Sequence, residues 1–163
     1  MDRLWAPWRM AYIKEAKDEP GCIFCIAASE KDDSKRYVVY RGRRAFIIMN
    51  LYPYNNGHVM VTPLRHVGSV DQMEEEEMLE TMKLIRMAVK IIVKVMKPDG
   101  FNIGANLGKS AGAGIEDHIH FHVVPRWRGD TNFMTIVSDT RVLPETIEQT
   151  YRKLVEATAS TDV

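Results

Sequence analysis

The sequence predicts an α+β fold in which a mainly antiparallel sheet packs with one long helix and a C-terminal helix. Three observations support this prediction. β-rich runs are separated by short turns, a long central stretch repeats its apolar residues at the helical period, and a second amphipathic stretch lies near the C-terminus. A chain of 163 residues has the length of one ordinary domain, so residues 1–163 are assigned to a single domain.

The charge of the chain is balanced, with 22 Lys and Arg against 22 Asp and Glu and a formal net charge of zero. This balance argues against a nucleic-acid binder that relies on bulk phosphate neutralisation, and against a polybasic membrane-surface protein. No apolar run approaches the roughly 18 residues that a membrane span requires, and the first residues lack the apolar core of a signal peptide. We therefore expect a cytoplasmic protein that binds neither nucleic acid nor membrane.

The N-terminal third is predicted to contain an arm, a hairpin and a third strand. The arm, residues 1–20, is rich in aromatic residues and is expected to pack on the body of the protein or on a second subunit. Residues 37–40 and 45–49 are β-rich runs separated by a short turn, in which Gly42 is available for a positive φ. Residues 58–62 form the next predicted strand.

A long amphipathic helix is predicted over residues 72–97. Asp71 and Glu74 have the spacing of a capping box at its start, and a proline follows its end. Its apolar residues recur at intervals of three and four, which predicts that they pack in the core. They are Met78, Met82, Ile85, Val89, Ile92 and Met96.

Two strands and a helix complete the predicted fold. Strands are expected over residues 100–106 and 115–124, with a loop of small residues at 108–114 between them. The C-terminal helix is expected over residues 144–158, with Pro144 in its first turn. The apolar face of this helix consists of Ile147, Tyr151, Leu154 and Val155.

Three histidines alternate with apolar residues in the predicted strand 115–124. Successive side chains of a strand point to opposite faces, so His118, His120 and His122 share one face, roughly 6.6 Å apart. Packing does not explain three imidazoles in this register. Metal ligation and nucleophilic or acid–base chemistry are the two functions that do.

Two cysteines, Cys22 and Cys25, have the spacing of one half of a tetrahedral zinc site. The other ligands would have to be histidines, and the candidates are His58, His66 and the three histidines at 118–122. A thioredoxin-like redox pair is the competing interpretation, which is disfavoured because no βαβ pattern surrounds the cysteines.

These motifs resemble those of a known family. His-Ile-His-Phe-His-Val-Val at 118–124 resembles the signature of the histidine triad (HIT) superfamily of nucleotide hydrolases and transferases. The segments at 50–61 and 108–112 resemble the family's nucleoside-binding strand and the loop before the triad. The segments at 3–10 and 125–134 are most similar to the bacterial branch related to diadenosine tetraphosphate phosphorylases.

The resemblance implies a HIT-like fold, whose sheet continues across a homodimer or a larger assembly, and a two-step mechanism. His120 matches the family nucleophile, which would attack the α-phosphorus of an adenine nucleoside phosphoryl compound and form a covalent nucleotidyl-histidine. His122 would donate to the phosphoryl oxygens, and His58 matches a fourth histidine that supports the phosphate site.

The resemblance also implies substrate-binding residues. Asn50 matches a residue that binds the ribose, and Asn106 one that contacts phosphate. The chain departs from many family hydrolases at Gly114, where they carry a glutamine, so the loop with Gly112 and Gly114 would bind phosphate through backbone N–H groups.

In zinc-containing bacterial relatives, the two cysteines bind the metal together with the first triad histidine and a histidine after the nucleoside-side strand. The resemblance therefore implies a structural zinc site formed by Cys22, Cys25, His66 and His118. It leaves open whether catalysis needs Mg²⁺.

We interpret the chain as a nucleotide hydrolase or transferase that acts on a dinucleoside polyphosphate or a similar compound. Hydrolysis is favoured, and phosphorolysis of diadenosine tetraphosphate is the alternative. An alternative of another class is a zinc-stabilised nucleotide-binding or sensor protein, which the complete histidine register disfavours.

Overall fold

The structure is a computed structural model that describes residues 21–130 and 143–162, so the predicted arm at 1–20 lies outside the described residues. The described part contains three α-helices and five β-strands, which confirms the predicted α+β class. In chain order these elements are α1 (Ile23–Ser29), β1 (Val38–Arg41), β2 (Ala45–Met49), β3 (Val59–Pro63), α2 (Glu75–Met96), β4 (Gly100–Gly104), β5 (Phe121–Arg126) and α3 (Ile147–Thr158).

The five strands form one antiparallel sheet with the order β1-β2-β3-β5-β4. Helix α2 packs on β2, β3 and β5, and α3 packs on α2 and β1, so both helices cover the same face. Val59, Val61 and Val123 point into this helical core. Because successive side chains of a strand point to opposite faces, Met60 lies on the other face, where it packs with Phe24 of α1. The sheet therefore has a helical face and a second face that α1 partly covers.

Helix α2 begins at Glu75, so the predicted start and capping box were wrong. Asp71 lies in a separate short 3₁₀ turn, Val70–Gln72, and the chain is extended at Met73 before the helix begins. The capping box is formed instead by Glu74 and Glu77, whose carboxylate accepts from the backbone N–H of Glu74 at 2.9 Å. The same motif occurs twice in this acidic run, and the local sequence does not choose between its two positions.

The apolar stripe predicted for α2 is only partly buried. Ile85 and Ile92 lie in the core, but Met78 and Met82 are 38% and 62% exposed. The residues that complete the buried face are Glu77, Thr81, Leu84, Met87, Ala88 and Ile91. The helix has two neighbouring apolar stripes, and the position of the sheet decides which one is buried.

The predicted hairpin is confirmed, but Gly42 does not adopt a positive φ. A Cβ atom at Gly42 would lie 2.7 Å from Glu80 Oε1 and 2.8 Å from the carbonyl oxygen of Ala45. Glu80 of α2 accepts hydrogen bonds from the backbone N–H groups of Arg43 and Arg44. Glycine is therefore needed for close approach of the turn to α2.

Strand β5 is shorter than predicted at its start and longer at its end. His118, Ile119 and His120 precede the strand, although the N–H of Ile119 donates to the carbonyl of Val67 at 2.7 Å. Pro125 does not end the strand, because β3 pairs with β5 only from residue 121 to 123. The missing N–H of this proline therefore interrupts no pairing with β3.

Strand β4 ends at Gly104, two residues before its predicted end. Helix α3 begins at Ile147, because Thr146 is its N-cap and accepts from the N–H of Gln149. The placement of Pro144 in the first turn was therefore wrong, whereas the predicted apolar face of α3 does pack in the helical core. No helix among the described residues combines the length and apolarity that crossing a membrane requires.

Candidate active site and metal cluster

Three of the predicted site histidines meet on the sheet face opposite the helices. His58 directly precedes β3, and His122 is the second residue of β5. The ring centroid of His122 lies 5.1 Å from that of His58 and 5.0 Å from that of His120. His58 and His120 are buried, whereas His122 is half-buried and is the member of the group that faces solvent.

Hydrogen bonds define the tautomers of His58 and His122. The backbone N–H of Tyr54 can only donate, and it donates to Nδ1 of His58 at 3.0 Å. A neutral imidazole has one donor and one acceptor nitrogen, so Nε2 of His58 carries the proton and donates to Nδ1 of His122 at 2.9 Å. His122 is then protonated on Nε2. We call this pair the histidine relay.

His120 has the opposite tautomer. Its Nδ1 lies 2.9 Å from the carbonyl oxygen of His118, which can only accept, so the proton is on Nδ1. The lone pair of Nε2 is consequently available as a nucleophile. Burial lowers the pKa of His120, although the hydrogen bond to His118 opposes this effect, so the ring is neutral at physiological pH.

His58 is held neutral even more strongly. Burial, followed by the charges that His122 and His120 can carry, lowers the pKa of His58 from 6.5 to about 3. At neutral pH the two histidines of the relay therefore keep the same tautomer, in which Nε2 carries the proton and is the hydrogen-bond donor.

The predicted substrate-binding residues lie at two places. Asn50 is beside the relay, with its Nδ2 3.3 and 3.4 Å from the two ring nitrogens of His58. Asn106, Gly112 and Gly114 lie in the long connection between β4 and β5, where Gly112 has a φ of 87°. The contact of Asn106, Gly112 and Gly114 with a ligand stays a prediction.

A second group of side chains, here called the metal cluster, consists of Cys22, Cys25, His66 and His118. One ligand atom from each residue lies within 4.8 Å of all the others. The Sγ atoms of Cys22 and Cys25 are 3.3 and 3.6 Å from Nδ1 of His118, and Cys25 Sγ is 3.3 Å from Nδ1 of His66. Adjacent sulfur and nitrogen ligands of a tetrahedral zinc are about 3.6 Å apart, so this set fits such an ion.

The surroundings of the metal cluster suit a cation. Nε2 of His118 donates to the carbonyl oxygen of Pro63 at 2.9 Å, which orients Nδ1 toward the sulfur atoms. Burial and the adjacent Cys22 raise the pKa of the Cys25 thiol. Two thiolates in this position become favourable when a cation lies between them, and both cysteines are free of disulfide bonds.

Two aromatic residues at the site were not predicted. Tyr54 is partly exposed, and its ring centroid lies 4.8 Å from that of His58 and 5.6 Å from that of His122. Phe24 is fully buried against His118 and His120. Both residues belong to segments that the sequence analysis singled out, Tyr54 to 50–61 and Phe24 to the cysteine motif, but nothing local indicates their contacts with the histidines.

The histidines, their hydrogen bonds and the sheet define the class of protein. Residues 31–129 match the HIT domain family, and the chain belongs to this family. This confirms the resemblance that the triad indicated.

Two named relatives show which activities occur among similar proteins. The chain is 41% identical over 161 residues to the AP-4-A phosphorylase of Mycobacterium tuberculosis, covering 94% of this chain and 83% of the relative. It is 32% identical over 93 residues to the asymmetrical bis(5′-nucleosyl)-tetraphosphatase of Schizosaccharomyces pombe, covering 57% and 50%. Both relatives are nucleotide-processing enzymes.

A solved structure supports the fold. The crystal structure of a zinc-bound histidine triad family protein from Mycobacterium smegmatis is 27% identical to this chain, with a TM-score of 0.70. The match covers 86% of this chain and 94% of that protein.

Proposed function

We propose that this protein is a nucleotide hydrolase or transferase that cleaves a dinucleoside polyphosphate at an α-phosphorus through a covalent nucleotidyl-His120 intermediate. The observation that carries the proposal is the tautomer of His120. Its Nδ1–H is bound to the carbonyl of His118, which leaves the Nε2 lone pair available for attack.

In the first step, Nε2 of His120 forms a bond to the α-phosphorus, and the bond from that phosphorus to the bridging oxygen breaks. The electron pair of the broken bond leaves with the rest of the substrate, which for diadenosine tetraphosphate is ATP. His122 donates its Nε2–H to the phosphoryl oxygens as their charge rearranges. His58 keeps His122 in this tautomer through the 2.9 Å hydrogen bond.

In the second step an acceptor attacks the phosphorus and releases His120. Water as the acceptor would yield AMP, and inorganic phosphate would yield ADP. The 41% identity with the M. tuberculosis AP-4-A phosphorylase favours phosphate as a second candidate acceptor, whereas the S. pombe tetraphosphatase favours water.

Asn50 supports the ribose beside the relay, where its Oδ1 accepts from the backbone N–H of Tyr52 at 2.9 Å. Its Nδ2 is the group that can donate to a ribose hydroxyl. Asn106, Gly112 and Gly114 bind phosphate oxygens from the connection between β4 and β5, chiefly through backbone N–H groups.

The metal cluster holds a structural zinc ion. All four ligand positions are filled by protein atoms, which is typical of structural rather than catalytic sites. Such an ion would hold the short helix α1 to the chain just after β3 and just before β5.

The protein forms a homodimer through β4, which is an edge strand among the described residues. Ile103 pairs with Val123, which places its side chain on the helical face, and it is 49% exposed. Exposed apolar residues also lie on α2, among them Met82 and Val93. Pairing of two β4 edges would extend the sheet and cover an apolar surface. We expect Ile103→Arg to shift the protein toward a monomer in sedimentation velocity.

The test of the reaction is incubation with diadenosine tetraphosphate, with and without inorganic phosphate, followed by chromatographic separation of the nucleotides. ATP and ADP that appear only with phosphate indicate phosphorolysis, and ATP and AMP without phosphate indicate hydrolysis. His120→Asn should abolish turnover, whereas the control Lys83→Gln, on the exposed side of α2, should leave it unchanged. Tight binding of the substrate without turnover or trapped nucleotidyl-His120 would instead support the nucleotide-sensor alternative.

A further inference from the structure

The ring of Phe24 lies between the metal cluster and the nucleophile. Its centroid is 5.2 Å from that of His118 and 4.9 Å from that of His120, and its side chain is fully buried. In the sequence Phe24 stands between the two cysteines of the cluster. One side chain therefore touches both a metal-cluster histidine and the proposed nucleophile.

The hydrogen bond from Nδ1 of His120 to the carbonyl of His118 restrains one edge of the imidazole. It does not prevent the ring from tilting about that bond, so the direction of Nε2 depends on the groups that pack against the ring. Among the described residues, the aromatic rings in contact with it are those of Phe24 and His122, at centroid distances of 4.9 and 5.0 Å. His122 is half-buried, whereas Phe24 is fully buried, so Phe24 is the support that is screened from solvent.

Helix α1 has only seven residues, and a helix of this length is not stable by itself. It is held by Arg41, which donates to the carbonyl oxygens of Ala27 and Ala28 at 2.9 and 2.8 Å. The packing of Phe24 and Ala27 in an apolar cluster is a second anchor, and the contacts of Cys22 and Cys25 with the cluster histidines are a third. The position of Phe24 consequently depends in part on whether the metal cluster is assembled.

We propose that Phe24 is a positioning residue for His120, and that the metal cluster acts on the nucleophile through it. This inference rests on the proposed function, because it assumes that His120 is the nucleophile. Phe24 keeps the imidazole at the angle from which Nε2 reaches the α-phosphorus. Assembly of the cluster keeps Phe24 in contact with that imidazole.

Phe24→Leu tests the proposal, and Phe46→Leu is the matched control. Both phenylalanines are fully buried in the same apolar cluster, which also contains Val38, Ile48 and Met60. The ring of Phe24 contacts His118 and His120, whereas the ring of Phe46 lies beneath the guanidinium of Arg41. The two substitutions thus remove the same atoms from the same core.

We expect Phe24→Leu to lower kcat for diadenosine tetraphosphate by about tenfold or more while KM changes less than about twofold, because a misdirected nucleophile slows chemistry rather than binding. Phe46→Leu should destabilise the protein by a similar amount and leave kcat within about twofold of wild type. Phe24→Met, whose flexible side chain fills irregular core space, provides a second variant if Phe24→Leu does not fold.

Imidazole ¹⁵N spectra of the free protein give a readout that does not depend on activity. In wild type and in Phe46→Leu, Nε2 of His120 should give one sharp signal, whereas Phe24→Leu should broaden it because the ring samples several tilts about its hydrogen bond to His118. Removal of zinc by a chelator should broaden or shift the His120 signals of the wild type, and should add little to the effect of Phe24→Leu.

Equal kcat values for the two leucine variants, or a His120 signal unaffected by Phe24→Leu and by chelation, would overturn the proposal. These outcomes differ from failure of the proposed function, in which the wild-type protein itself does not turn over the substrate.

Discussion

The strongest pH dependence in this protein is expected at His58. In the unfolded chain its pKa is about 6.5, and in the folded protein burial lowers it to about 3. Between these values the unfolded chain binds more protons than the folded protein, so the free energy of unfolding falls as the pH falls. The stabilisation is complete above about pH 6.5 and is lost progressively down to about pH 3.

The magnitude follows from the shift. At pH 5 the unfolded His58 is protonated and the folded one is neutral, and the 1.5 pH units below 6.5 correspond to about 2 kcal/mol. This is a large part of the roughly 5–15 kcal/mol by which domains are stable. His58→Gln removes the titration and retains an amide that can donate to Nδ1 of His122.

The assay is urea unfolding of wild type and His58→Gln between pH 8 and pH 5, both with a chelator so that metal release does not contribute. The pH dependence of the other groups largely cancels in the difference between the two proteins. We expect the stability of wild type relative to His58→Gln to fall by about 2 kcal/mol from pH 8 to pH 5. A difference that stays constant, or that grows toward acid pH, would refute the argument that His58 is buried in its neutral form.

Three further predictions concern the metal cluster and the α2 contacts. Cys22→Ser should reduce the zinc content from about one ion per chain to well below half, measured by atomic absorption. Gly42→Ala should lower the free energy of unfolding by about 1–3 kcal/mol, because its Cβ would lie 2.8 Å from the backbone carbonyl oxygen of Ala45. Arg65→Met should raise the pKa of the buried Glu77, whose carboxylate it binds at 2.7 and 2.9 Å, so that stability is lost at neutral pH but little changed at acid pH.

Each of these predictions has a control and an opposing result. Ser29→Ala, at the exposed end of α1, should keep the zinc that Cys22→Ser loses, and equal zinc contents would contradict the ligand assignment. Gly104→Ala is the control for Gly42→Ala, since no atom lies within 4 Å of a Cβ there. For Arg65→Met, a loss of stability that is equal at neutral and at acid pH would show that the ion pair does not hold the pKa of Glu77 down.

Several elements were predictable because their signals are local. The hairpin of β1 and β2, the long helix and the apolar face of α3 follow from side-chain periods of two and 3.6 residues. The ends of these elements were less predictable. Two capping boxes compete near Glu74, and Pro125 is tolerated in β5 only because β3 does not extend beside it.

The candidate site, too, could be predicted only in part. The spacing of the triad predicts that three imidazoles lie close together. The resemblance predicts that His118 binds the metal with the cysteines, and that His120 and His122 contact the phosphate groups of the substrate. The structure brings His66 and His118 to the cysteines and His58 to His122. The contacts of Phe24 and Tyr54 could not be predicted, because they join segments that are distant in the sequence.

The fold class and the family follow from the sequence alone, and so do the positions of the five histidines and two cysteines of the candidate site. The proton positions on His58 and His120 follow only from the folded chain, since they depend on the backbone of Tyr54 and of His118. The folded chain also shows which stripe of α2 is buried and that Phe24 contacts both His118 and His120. The physical reason is common to all three: proton position, burial and ring contact are properties of groups brought together from distant parts of the chain, whereas periodicity and spacing are local.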